Sequence, residues 1–163
     1  MGQGSADGLS SVFTLMFLNV NGLAPYKVDL LSGFLEQHGP SVLCIAEHFL
    51  RGEEICALRL DGYLLASHYC RNFRRGGVAV FVRPDISYRV VPVHSFCVEK
   101  HAEFAAVYLD AMDLLLVVVY RSGAIRDTEV FMRQLELLLD NVSGDFRGII
   151  LAGDYNINIL IDT

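Results

Sequence analysis

The chain has 163 residues, 53% of them hydrophobic and 20% charged, with a formal net charge of −6. That length suits one domain with a substantial core, and the acidic balance speaks against broad, charge-driven coating of nucleic acid. Mean hydropathy is +0.39, yet the most apolar stretch, 104–120, is broken by Asp110 and Asp113 and reads as two strands and a turn, not a membrane span.

In chain order, residues 1–10 are rich in Gly and Ser and are expected to be a disordered tail, with one domain over 11–163. Residues 12–20 read as a strand ending in Asn19-Val20-Asn21. Pro25 suits the first turn of a helix. Val28, Leu31 and Leu35 follow at helical spacing, Leu30 and Phe34 widen the stripe, and His38-Gly39-Pro40 stops it. Residues 41–46 form a second apolar strand that runs into Glu47. Strand, helix, strand favours a parallel pair with a right-handed crossover. One short helix is expected within 50–60, then strands over 63–67, 78–82, 86–93, 102–109 and 114–119. Asp127 is placed to cap a helix reaching about residue 141, with Val130, Phe131, Leu135, Leu138 and Leu139 on its inward stripe. Last comes the run Gly148-Ile149-Ile150-Leu151-Ala152-Gly153-Asp154, read as a strand buried on both faces.

The order β-α-β, then several strands, then α-β indicates mixed sheets with helices outside them. The four cysteines, Cys44, Cys56, Cys70 and Cys97, show no C-x-x-C spacing and are expected to be reduced thiols inside the cell. Arg71, Arg74, Arg75 and Arg83 make one basic cluster, read as a solvated loop, and His48 is read as a loop residue.

Four apolar strands end in groups of one chemical type: Asn19 with Asn21, Glu47, Tyr120, and Asp154 with Asn156. Ligand sites in sheet proteins gather outside the C-terminal ends of strands. Two carboxylates with amides are hard oxygen donors, suited to Mg²⁺ or Mn²⁺ rather than to zinc. A hard cation in such a place commonly neutralises phosphate oxygens and positions water.

The motifs LNVNGL at 18–23, PSVLCIAEHFL at 40–50, GGVAVFVR at 76–83, VVYRSG at 118–123 and GDYNINIL at 153–160 carry a resemblance. In order and spacing the chain resembles the endonuclease/exonuclease/phosphatase superfamily, and most of all the endonuclease domains of non-LTR retrotransposons. The resemblance implies a four-layer α/β/β/α sandwich and cleavage of a DNA phosphodiester with one or two Mg²⁺ (or Mn²⁺) ions. By the same resemblance, Glu47 is a metal ligand with Asn21 beside it, Asp154 orients or deprotonates the attacking water, and Asn156 holds Asp154 and a phosphate oxygen. Asn19 matches a first-strand catalytic asparagine and Tyr120 a tyrosine on the scissile phosphate. Arg121, Ser122 and Asn158 are weaker candidates for phosphate contact. The family pattern continues past the Gly-Asp-x-Asn strand to a Ser-Asp-His motif, so the sequence is expected to be the N-terminal portion of such a domain. On that expectation the chain alone is inactive or nearly so and exposes an apolar face and an open edge. DNA, the rest of the domain and a downstream reverse transcriptase are the implied partners, without a membrane and with a nuclear site of action. A phosphatase of small or lipid phosphoesters and a non-catalytic binding module are the alternatives.

Overall fold

A computed structural model of the chain describes residues 12–73, 75–124, 128–142 and 146–157. Among the described residues, eight strands are arranged in two four-stranded sheets. The first sheet has the order β1-β2-β4-β3, built from β1 (Leu15–Asn19), β2 (Val42–Ala46), β3 (Leu64–Tyr69) and β4 (Val78–Val82). The second has the order β5-β6-β7-β8, built from β5 (Tyr88–Val91), β6 (Glu103–Leu109), β7 (Leu114–Tyr120) and β8 (Gly148–Asp154). Each sheet has one parallel pair, β1 with β2 and β7 with β8, while its other pairs are antiparallel. Helix α1 (Pro25–His38) makes the expected crossover between β1 and β2, α2 (Gly52–Ala57) is the short helix, and α3 (Glu129–Val142) leads into β8.

Strand periodicity sorts the core into layers. Val42, Cys44 and Ala46 of β2, Val78, Val80 and Val82 of β4, Ala105, Val107 and Leu109 of β6, and Leu116 and Val118 of β7 share one cluster between the sheets. Alternate residues point the other way. Leu43, Ile45, Ala79 and Phe81 pack with Leu31 and Leu35 of α1. Phe104, Ala106, Leu115, Val117 and Val119 pack with Phe131, Leu135 and Leu138 of α3. The result is a mixed α/β, four-layer α/β/β/α sandwich. Central strands β2 and β4 are buried at every residue, and burying each such Val or Leu is worth about 1.5–3 kcal/mol before chain entropy is counted.

Some expectations change. β8 is not buried on both faces: it ends the order of its sheet, most of its residues are half-buried and Ile149 is 40% exposed. Its apolar run reflects one covered face plus an edge, a pattern that a short run cannot distinguish from a central strand. Leu30 and Phe34 do not widen the buried stripe of α1: they are 69% and 39% exposed, because 100° steps carry them off the sheet-facing side. Arg71 is not solvated; His48 does lie in a loop, the one after β2, but has no exposed surface. The four cysteines are free thiols, and among the described residues no helix is long and apolar enough to cross a membrane. The tail at 1–10, Arg74, Asp127 and Asn158 lie outside the described residues.

Candidate functional site

The layers explain why the chemistry collects at one end. β1 and β2 run parallel, so Asn19 lies beside Ala46, and Glu47 follows directly. In the second sheet, Glu103, Tyr120 and Asp154 share one row of the register. Leu15 and Phe17 of β1, and Ile150 and Ala152 of β8, pack into the inter-sheet cluster. Two-residue alternation therefore aims Asn19 and Asp154 into the same seam. The site is the open mouth of the core, where inward-facing Val and Ala give way to amide, carboxylate and phenol.

One side chain joins the two sheets there. The Asn19 Nδ2 amide donates to Glu47 Oε1 at 2.8 Å and to Asp154 Oδ2 at 2.9 Å. Two carboxylate oxygens, 107 positions apart in sequence by their numbering, thus lie within two hydrogen-bond lengths of each other. Asn19 Oδ1 accepts the Asn21 backbone N–H at 3.1 Å, which fixes the amide's orientation. The Asn156 backbone N–H donates to Asp154 Oδ1 at 3.1 Å. Each oxygen of Asp154 consequently has one donor, and the carboxylate plane is set.

Backbone conformation supports this convergence. Asn21, Glu47, Phe49 and Asn156 all take positive φ, at 42°, 56°, 61° and 48°. Non-glycine residues enter that region rarely and at a cost, and such strain gathers where side chains must be aimed. Gly22 and Gly77 relieve crowding beside them. A Cβ on Gly22 would lie 2.8 Å from the Phe49 ring, and one on Gly77 would lie 2.3 Å from the His48 ring.

His48 is a buried strut. Its Nδ1 accepts the Leu50 N–H at 3.0 Å, so Nε2 carries the proton and donates to the Tyr69 carbonyl at 3.1 Å. Burial pushes its pKa down to about 4, against the pull of the Tyr69 carbonyl, so the ring is neutral at pH 7. It fixes the turn that carries Glu47.

A cleft beside Glu47 is lined by Asn21, Arg71, Arg75, Tyr120, Ser122 and Asn156. The Tyr120 hydroxyl is pushed up to about 12 by burial and then by the charge of Glu47 and its hydrogen bond, while Arg71 and Ser122 oppose the shift. It stays a protonated donor at any physiological pH. Arg121 turns away from this cleft. Its guanidinium is nearly buried, with Nε donating to the Tyr155 carbonyl at 2.8 Å and a terminal nitrogen to the Asn156 carbonyl. Asn156 Nδ2 returns a bond to the Arg121 carbonyl at 2.7 Å, so these two residues lock the loop after β8. Ser122 sits at the cleft with its backbone N–H donating to the Lys100 carbonyl.

The donor set fits a hard divalent cation. No group of three His, Cys, Asp or Glu side chains gathers among the described residues, so a cage of the zinc or calcium kind is not built. Magnesium asks for less, because it binds through one or two carboxylates and keeps several waters. Glu47 and Asp154, tied to one amide, supply that pair, and the Asn21 side chain lies in the same cleft as Glu47.

Reasoning from the sequence missed two residues here. Arg71 and Glu103 form a buried ion pair beside Tyr120. The available signal was Glu103 itself, a carboxylate placed on the inward-facing parity of an apolar strand.

The family model described as the endonuclease/exonuclease/phosphatase family matches residues 16–159. Among solved structures, a 3′ phosphatase from Neisseria bound to a product DNA hairpin superposes with a TM-score of 0.65 at 18% identity, over 90% of this chain and 58% of that one. D. rerio TDP2, complexed with a single-stranded DNA product, gives 0.62 at 16% identity, over 90% and 61%. A mannosyl-6-phosphatase from Bacteroides thetaiotaomicron gives 0.62 at 14% identity, over 90% and 66%. The chain spans about three-fifths of the length of the structures it matches.

Proposed function

The chain belongs to the endonuclease/exonuclease/phosphatase family, and on that premise we propose that its site hydrolyses a phosphodiester of DNA with a divalent cation, leaving a nick. The observation that carries the reading is the single Asn19 amide shared by Glu47 and Asp154. It concentrates two negative charges at the seam mouth while adding none that would cancel them. Mg²⁺ or Mn²⁺, held there by Glu47 with Asp154 and Asn21 in reach, would neutralise charge on the phosphoryl oxygens as a Lewis acid.

The chain's own residues divide the remaining work. Asp154, oriented by Asn19 and the Asn156 N–H, accepts the proton of the attacking water as its oxygen bonds to phosphorus. The Tyr120 hydroxyl, held protonated, and the Ser122 hydroxyl are donors toward charge that grows on the phosphoryl oxygens in the transition state. The bond from phosphorus to the leaving sugar oxygen breaks opposite the incoming water.

DNA as substrate is supported by the motif run that resembles retrotransposon endonucleases and by two structural neighbours whose own complexes hold DNA products. The same resemblance carries the proposal of a mobile-element origin, a reverse transcriptase in the same polyprotein and action in the nucleus. Nicking of supercoiled plasmid by the protein at its natural length, in Mg²⁺ and in EDTA, tests the reading. Nicking should need Mg²⁺ and fall by about 10²–10⁴-fold in Asp154→Ala. Undiminished nicking in that variant, or hydrolysis of small phosphomonoesters alone, would overturn it.

A further inference from the structure

Glu103 opens β6 on the seam-facing parity, opposite Tyr120, and has no exposed surface. A carboxylate carried that deep requires partners. Its partners include the Gly77 backbone N–H, which donates to Oε2 at 2.7 Å, Arg71 Nε, which donates to Oε1, and the Lys100 backbone. Burial pushes the Glu103 carboxyl up, while Arg71 and the Gly77 N–H pull it back down. The backbone is shaped around this pair. A Cβ on Gly76 would lie 2.2 Å from Arg71 Nε, and Gly76 and Gly77 both hold positive φ, at +69° and +88°.

The pair uses only part of what the arginine offers. Its side chain is 6% exposed, and its bond to Glu103 engages Nε. Nη2 is buried without a hydrogen-bond partner among them. The guanidinium lies 5.6 Å from the centroid of the Tyr120 ring and lines the cleft that holds Glu47, Asn21 and Ser122. A purely structural ion pair would be better served by a partner for Nη2, since a buried donor left unmade is expensive.

We propose that Arg71 is the anion-gripping residue of this cleft: its terminal guanidinium nitrogens bind a non-bridging oxygen of the substrate's phosphoryl group, and Glu103 is the positioning residue that holds them there. The inference rests on the phosphoester reading above and deepens it by naming the group that recognises the phosphate. A planar guanidinium matches phosphate geometry better than an ammonium. Packing against Tyr120 and the seam shields the contact from solvent and salt. Pairing with Glu103 makes the unit neutral overall, so it does not repel a cation at Glu47 and Asp154.

The test is titration of inorganic phosphate into the full chain, followed by NMR shifts in Mg²⁺ buffer and again in EDTA, with thermal unfolding of each variant as a control. Arg71→Gln should weaken phosphate binding by about tenfold or more, with Arg71→Lys intermediate. Glu103→Gln separates two accounts by sign. If the arginine acted only as a distant charge, removing an acidic neighbour would tighten phosphate binding. If Glu103 positions the guanidinium, binding weakens. Should Arg71→Gln fail to fold, Arg71→Lys and Glu103→Gln decide the matter alone. Unchanged affinity in the folded arginine variants, tighter or unchanged binding in Glu103→Gln, or no saturable binding by the wild type would overturn the proposal. Plasmid nicking in Mg²⁺ by the protein at its natural length is scored separately. Arg71-dependent phosphate binding without nicking leaves this inference standing and sinks the hydrolytic reading, whereas nicking with Arg71-independent binding does the reverse.

Discussion

The interior of the inter-sheet seam and its mouth are built by the same rule and filled with opposite chemistry. Val118 and Tyr120 sit two residues apart on one face of β7, as do Ala152 and Asp154 on β8 and Phe17 and Asn19 on β1. Inside, that face carries apolar side chains, fully buried at Val118 and half-buried at Phe17 and Ala152; at the end it carries a phenol, a carboxylate and an amide linked by hydrogen bonds that pass through Glu47. The close-packed interior fixes where the strands end, and so it aims groups that would otherwise need a framework of their own. Polar residues are tolerated there because each is paired or faces the cleft.

Substitutions along the seam can break that contrast. The largest loss of stability is expected for Gly153→Val, because a Cβ there would sit 1.9 Å from the Val119 carbonyl oxygen of the neighbouring strand. Forcing β7 and β8 apart should cost about 3 kcal/mol or more and appear as a lower urea midpoint. Next comes His48. Its folded pKa is depressed from 6.5 to about 4, so the unfolded chain binds the proton first as pH falls. Its contribution is complete above pH 6.5 and drains away between 6.5 and about 4, on the order of 3 kcal/mol in all. Denaturation across that window should show a flatter pH dependence in His48→Gln than in the wild type.

The last two variants sharpen the comparison. Val118→Thr places a hydroxyl in the dry interior and should cost about 1–3 kcal/mol, with little direct effect on the site. Tyr120→Phe, one step along the same face, should change stability by less than about 1 kcal/mol while slowing phosphoester hydrolysis. Melting curves and hydrolysis rates measured on both proteins would expose any failure of the division. If Val118→Thr were harmless, the interior would not be the rigid frame described here.

Much of this was legible in the chain, for reasons that depend on distance. Val42 to Ala46 and Val78 to Val82 announce central strands by unbroken apolar runs, and the helix between β1 and β2 forces their parallel pairing. Gly153-Asp154-Tyr155-Asn156 shows its chemistry because the residues that orient Asp154 from one side are adjacent. Edge position was not legible, since an apolar run states how greasy a strand is and not whether both its flanks are paired. Nor was the pairing of Arg71, in the loop after β3, with Glu103 on β6, 32 residues away, because Arg71 sits among three other arginines that resemble a solvated loop. The triple role of Asn19, which spans Glu47, Asn21 and Asp154, exists only once two sheets are stacked.

The central claim is that Glu47 and Asp154 act as one cation site at the seam mouth. Mn²⁺ binding, followed by electron paramagnetic resonance in the wild type, Glu47→Gln and Asp154→Asn, tests it most directly. The account predicts saturable binding that weakens by about tenfold or more in either single variant, with no change in secondary structure. Full affinity retained in either variant, or a wild type that binds no Mn²⁺, would contradict it.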